Sequence, residues 1–292
     1  MTNRIYQIDS LRGFAIILML LQHIPLFLVE NLQTIVYSLA IFLSRFSAPL
    51  FFILAGYCTF LSFIKNGPKH ILKRSAEIFL YGIIVNIFRH QSLLTINVLT
   101  SISVFIIICT IIIYIKSKYA YAMILISLIV YSFMIPETVS NIQYTSDILK
   151  SGEYPIAAWL IYSVIGLGIA WINNIQNKKI IASASILSVI FGITILAFDY
   201  YKLSFIQNTP PFMFMVLGLI GIIYMLMTIV SSKILETFGK NSLFIYVSHM
   251  FLFSFIPVIS GIGKPLSINA ALIVYIITLT VTYYLLKEDM PK

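Results

Sequence analysis

Apolar runs of about twenty residues follow one another along almost the whole chain, and they constrain its fold more than any other feature. A helix of about 20 residues just spans the roughly 30 Å of bilayer hydrocarbon. The runs predict about ten spanning helices, over residues 11–29, 47–64, 72–88, 93–115, 119–136, 155–172, 179–197, 210–230, 242–260 and 268–286. Residues 31–46 read as a helical lead-in at the interface or as an extension of the second span. Charged side chains make up 10% of the 292 residues and apolar ones 60%, with a mean hydropathy of +0.99. So little charge cannot cover a water-soluble surface. The expected fold class is an all-α polytopic membrane protein. The first run lacks a small-residue cleavage motif and does not read as a removable signal.

The net charge of +9 would suggest nucleic-acid binding in a soluble protein. Here its placement argues for topology instead. Arg4, Arg12, Lys65, Lys69, Lys73, Arg74, Lys116, Lys118, Lys178, Lys179, Lys233, Lys240, Lys287 and Lys292 fall on one side of the predicted spans. Arg45, Arg89, Lys150, Lys202 and Lys264 fall on the other. The positive-inside bias puts the richer side, with both termini, in the cytoplasm, and so requires an even number of spans. The chain reads as a single transmembrane domain, 1–292, in the plasma membrane. Its longest outer loop, 137–154, is either a solvated connector or a cover for an outward-facing site. Cys58 and Cys109 fall within apolar stretches and read as small packing residues.

Arg12 and His23 are eleven positions apart in the first apolar run. Eleven helical steps turn about 1100°, roughly 20° past three full turns, and advance about 16 Å. Both side chains therefore leave one face, the guanidinium near a membrane surface and the imidazole deep in hydrocarbon. An ionisable group at that depth is costly and marks a functional candidate. Asp9 lies within reach of Arg12, Gly13 permits close approach of a backbone or ligand, and Glu30 extends the stripe outward. The bland alternatives are a snorkelling arginine and a core histidine bonded between helices.

A second histidine, His249, lies in an apolar run after Phe238-Gly239-Lys240-Asn241-Ser242, which reads as a cytoplasmic helix start capped by Asn241 or Ser242. Tyr246 and His249, three apart, share a face. A structural hydrogen bond would also explain His249. Between the second and third spans, Gly67-Pro68 breaks the chain among Lys65, Lys69, His70, Lys73 and Arg74. These bases serve either ordinary topology or a cytoplasmic phosphate site. The sequence shows no Walker-type phosphate loop, no Cys/His cluster with zinc spacing and no Gly-x-Ser-x-Gly elbow, so no metal is expected.

Arg12 and His23, with ten residues between them, resemble the Arg-x10-His signature of the acyltransferase-3 family. Ile8-Asp9-Ser10-Leu11-Arg12-Gly13 is similar to the opening of the related heparan-glucosaminide N-acetyltransferase group. Ser47-Ala48-Pro49-Leu50-Phe51-Phe52-Ile53-Leu54-Ala55-Gly56-Tyr57 and Gly239-Lys240-Asn241-Ser242-Leu243-Phe244-Ile245-Tyr246 with His249 are similar to the second-helix and late-helix patterns of that superfamily. The resemblance implies transfer of an acyl group, most simply acetyl, from cytoplasmic acetyl-CoA to a hydroxyl or amine of a glycan-like or lipid-linked acceptor. It implies donor phosphates near Arg12, Lys69, Lys73, Arg74 and Asn241. His23 would act as general base, with Glu30 orienting it and His249 nearby. Tyr246 or Asn241 would serve an oxyanion. The implied partners are membrane lipid, donor and acceptor, with homo-oligomers possible and nucleic acid excluded.

Two other classes compete. A transporter or flippase would use an interior histidine for proton coupling, but calls for paired repeats or broken helices, and the sequence shows no such pairing. A non-catalytic scaffold on the same fold is the third reading.

Overall fold

The computed structural model describes residues 6–28, 35–90, 96–134, 156–173, 186–190, 210–229, 232–250 and 268–288, and every regular element among them is a helix. In chain order these are α1 (Tyr6–Leu28), α2 (Ile35–Ser44), α3 (Ser47–His90), α4 (Val98–Ile115), α5 (Lys118–Met134), α6 (Ile156–Asn173), α7 (Pro210–Ile229), α8 (Lys233–Lys240) and α9 (Ile268–Glu288). Residues 186–190 and 242–250 are also helical. The outer loop at 137–154 and Glu30 lie outside the described residues.

Two described helices are long and apolar enough to cross a membrane, Phe42–Ile87 and Val98–Ile115. The first is interrupted at Gly67, where φ is 75° and ψ 174°, so α3 is two helices joined at the predicted Gly67-Pro68 break. A positive φ suits glycine, and proline fits at the start of the second limb, where no N–H is needed. Shorter apolar helices cover Lys118–Val130, Trp159–Trp171, Phe212–Ile223 and Leu272–Leu286. On α9, Ile273, Ile276, Ile277, Val281, Tyr284 and Leu285 are exposed at helical spacing. So large an uncovered apolar face is a lipid-facing face in a membrane protein.

The chain forms two compact units, Met1–Leu50 with Leu226–Lys292, and Phe51–Met225. In the first, α1 is the hub and packs on α2, α8 and α9. Its contact with α8 is made by backbone. A Cβ added to Gly13 would overlap the Leu235 carbonyl oxygen, and one added to Gly239 would overlap that of Asp9. Asp9 thus faces Gly239 and Gly13 faces Leu235, so the helices run antiparallel where they cross. Tyr275 of α9 donates to the Ile17 carbonyl at 3.1 Å, and Phe238 stacks on Tyr283.

The second unit uses the same device. A Cβ on Gly56 would overlap the Ser163 carbonyl oxygen, and one on Gly166 would overlap that of Ile53. Ser163 also donates to the Phe52 carbonyl at 2.8 Å. Beside this crossing Phe52 packs edge-on against Phe105 and Trp159. Small residues are the usual means of close helix approach in lipid, where burial of apolar surface gives no drive.

Asn97 organises the start of α4. Its Oδ1 accepts from the Thr100 N–H at 2.9 Å, and the Thr100 hydroxyl accepts from the Asn97 N–H at 2.9 Å. The Asn97 amide nitrogen donates to the Gly82 carbonyl and to Asn86 Oδ1, at 2.8 and 2.7 Å. All these groups are buried. Asn97→Ala removes a helix cap and takes a donor from two buried acceptors, at a combined cost of about 2–4 kcal/mol. Thermal unfolding in detergent is expected to show a clearly lowered midpoint, whereas an unchanged one would mean that the network contributes nothing.

Candidate functional site

The first unit gathers most of the sequence-selected residues. Most of α1 from Ile8 to Leu20 is buried, as the central helix of a bundle must be. Asp9 and Arg12 stand on its first turns, and an Arg12 guanidinium nitrogen is 3.2 Å from Asp9 Oδ1. The Arg12 side chain is 31% exposed and that of Asp9 4%. The carboxylate is therefore buried beneath the guanidinium, which reaches outward. A guanidinium is planar and permanently charged, a shape suited to an anion.

Farther along α1, the His23 ring meets that of His249, with centroids 5.2 Å apart and planes tilted by 40°. Tyr246 lies edge-on to His249 at 5.3 Å, so the three-residue spacing does bring those two rings together. His249 and Tyr246 are buried, and His23 is half-buried. His249 Nδ1 lies 3.0 Å from the Ile245 carbonyl oxygen. A carbonyl can only accept, so Nδ1 carries the hydrogen and the lone pair of the neutral ring is on Nε2.

The local path to His249 differs from the expected one. Phe238–Lys240 close a short additional helix, α8, and the expected helix opens directly after it at Ser242, with Asn241 at the junction. Ser232 caps α8 through a hydrogen bond from the Leu235 N–H, and Lys240 pairs with Glu236 at 2.5 Å. Asn241, at φ −104° and ψ 17°, closes it, and its amide nitrogen donates to the Thr237 carbonyl at 3.0 Å. That bond holds the bend between α8 and the helix bearing His249.

Lys69, Lys73 and Arg74 belong to the second unit, on the limb of α3 after Gly67. All three are exposed, as are Lys65 and His70. Arg74 pairs with Glu77 at 3.3 Å. Cys58 and Cys109 are thiols, the first half-buried and the second buried. Among the described residues no group of three or more His, Cys, Asp or Glu could hold a metal ion.

The family model for the heparan-alpha-glucosaminide N-acetyltransferase catalytic region matches residues 4–196. The chain belongs to this family. The match spans Asp9, Arg12, Gly13 and His23 and ends before α8 and His249. No curated protein matches the chain. Membership of the N-acetyltransferase family, with the long apolar helices, makes this an acetyltransferase-type membrane enzyme. Sequence reasoning found both histidines and Gly13 but not the partner of either. The signal available was the glycine at 239, which stands in a polar stretch where no turn needs it.

Proposed function

We propose that this chain is a multi-pass plasma-membrane acetyltransferase. It takes an acetyl group from cytoplasmic acetyl-CoA and transfers it to a hydroxyl or amine of a glycan-like or lipid-linked acceptor of the cell envelope. Ten spans with both termini cytoplasmic fit the Lys/Arg distribution. The observation that carries the reading is the His23–His249 pair, within the unit whose central helix also carries Asp9 and Arg12.

In this reading Arg12 holds donor phosphate, and the arm runs along α1 over the roughly 16 Å between Arg12 and His23. His23 accepts the proton of the acceptor hydroxyl or amine as that atom attacks the thioester carbonyl. When the C–S bond breaks, the proton passes from His23 to the departing thiolate, and free CoA leaves. Neutral His249, its tautomer set by the Ile245 carbonyl, offers its Nε2 lone pair to a protonated His23 ring and stabilises it. That is the role the sequence suggests for Glu30. Tyr246 keeps the His249 ring in place.

Acetyl-CoA is expected to raise the thermal midpoint of the purified protein, as any ligand of the folded state alone must. The gain is about 2.7 kcal/mol at a hundredfold excess over Kd. Arg12→Gln is expected to raise KM for acetyl-CoA about tenfold, the loss of one charge-assisted contact. If acetyl-CoA leaves the midpoint unmoved, and vesicles pass glycan without any acyl donor, a carrier replaces the enzyme.

A further inference from the structure

We infer that the limb of α3 after Gly67 carries a binding site for an anionic phospholipid headgroup, built on Lys69 and Lys73. The inference rests on the membrane placement of the chain and not on its chemistry.

The limb has two opposite faces. Ile71, Ser75, Gly82, Val85 and Asn86 are buried, and three of them are tied inward. Ser75 donates to the Ser103 carbonyl at 2.9 Å, and Asn97 donates to Gly82 and Asn86. These contacts fix the rotation of the helix about its axis. The opposite face is then set: Lys69, Leu72, Lys73, Ala76, Leu80, Ile84 and Ile87, spaced by three and four, are all exposed.

The composition of that outer face changes along its length. It begins basic and ends as an uninterrupted apolar strip. From Lys73 to Leu80 is about 10 Å along the axis, and from Leu80 to Ile87 about 10 Å more. A phospholipid lying on this face has its phosphate at the lysines and its acyl chain over Leu80, Ile84 and Ile87. One acidic residue, Glu77, stands at the edge of the face, four residues after Lys73. Glu77 is engaged with Arg74 at 3.3 Å. With Glu77 paired to Arg74, Lys69 and Lys73 leave the basic end of the face with a net positive charge, and each basic group near an anionic leaflet contributes favourably.

The same geometry argues against the donor as the source of the phosphate. A CoA held at Lys69 and Lys73 would lay its arm over an exposed apolar strip that faces lipid, with no polar partner along the way. The commitment is therefore to the lipid, with the donor as the competing outcome.

The test uses the full chain in nanodiscs of equimolar phosphatidylcholine and phosphatidylglycerol. Lipid retained on the protein is read by native mass spectrometry after mild detergent transfer. Wild type is expected to retain phosphatidylglycerol about fivefold over phosphatidylcholine, with the preference falling as salt rises. The double substitution K69Q/K73Q is expected to abolish the preference, and K69R/K73R to keep it. The arginine pair guards against a mere folding defect. Equal retention of both lipids by wild type overturns the inference. So does a glutamine pair that keeps the preference while its KM for acetyl-CoA rises tenfold, which would return these lysines to the donor. Loss of acetyl transfer in the His23 variants leaves the lipid result untouched, so the two readings fail separately.

Discussion

Replacing His23 with alanine is expected to lower acetyl transfer by about 10²- to 10⁴-fold, the range for removing a general base. The loss should appear in kcat, with the acetyl-CoA thermal shift retained, since Arg12 is untouched. His249→Ala should cost less. In the proposed mechanism His249 is a positioning residue that acts through His23, whose ring it meets with centroids 5.2 Å apart. The double variant should then be no slower than His23→Ala alone, as groups acting as one unit are not additive. Full activity in His23→Ala would remove the proposed role. Equal and additive losses would make His249 an independent participant. A pH profile separates support from packing, because losing the Nε2 acceptor destabilises protonated His23 and should move the acidic limb of kcat to lower pH, and a packing defect should not.

The other large effect is structural. Gly239→Val is expected to prevent recovery of folded protein, because its Cβ would overlap the Asp9 carbonyl oxygen. The obstacle is backbone, so no rotamer change can relieve it. Either α1 and α8 separate, which moves Asp9 and Arg12, or the unit does not form. The check is the monodisperse yield on size exclusion in detergent, compared with Gly67→Ala. At Gly67 nothing lies within 4 Å of an added Cβ and the constraint is the backbone conformation alone, φ 75° with ψ 174°, so that variant should cost about 1–3 kcal/mol and still be recovered. Wild-type recovery of Gly239→Val would mean that the crossing is not as close as described.

The helices themselves are largely legible in the sequence. The spans expected at 210–230 and 268–286 correspond to α7 and α9, because an apolar run of spanning length has few other folds open to it. The break between the second and third spans is visible as Gly67-Pro68. α8 is not visible. Lys233, Glu236 and Lys240 make it read as a connector, and only its packing on α1 shows that Phe238 and Gly239 face inward. The candidate site divides the same way. Arg12 and His23 can be paired by helical geometry because they share one helix. His23 and His249 stand near opposite ends of the chain, and no periodicity reports which two faces will meet. Asn241 is legible as the opening of the helix that bears His249, but not as the residue that closes α8, because nothing in sequence marks a residue that serves two abutting helices.

The way α1 and α8 touch bears on how this enzyme could be redesigned. Contacts between side chains drift readily, since one volume can be traded for another. A contact between a carbonyl oxygen and a bare Cα has nothing to trade. Attempts to retarget the catalyst to new acceptors should therefore hold positions 13 and 239 fixed and confine diversity to the rings and walls around them.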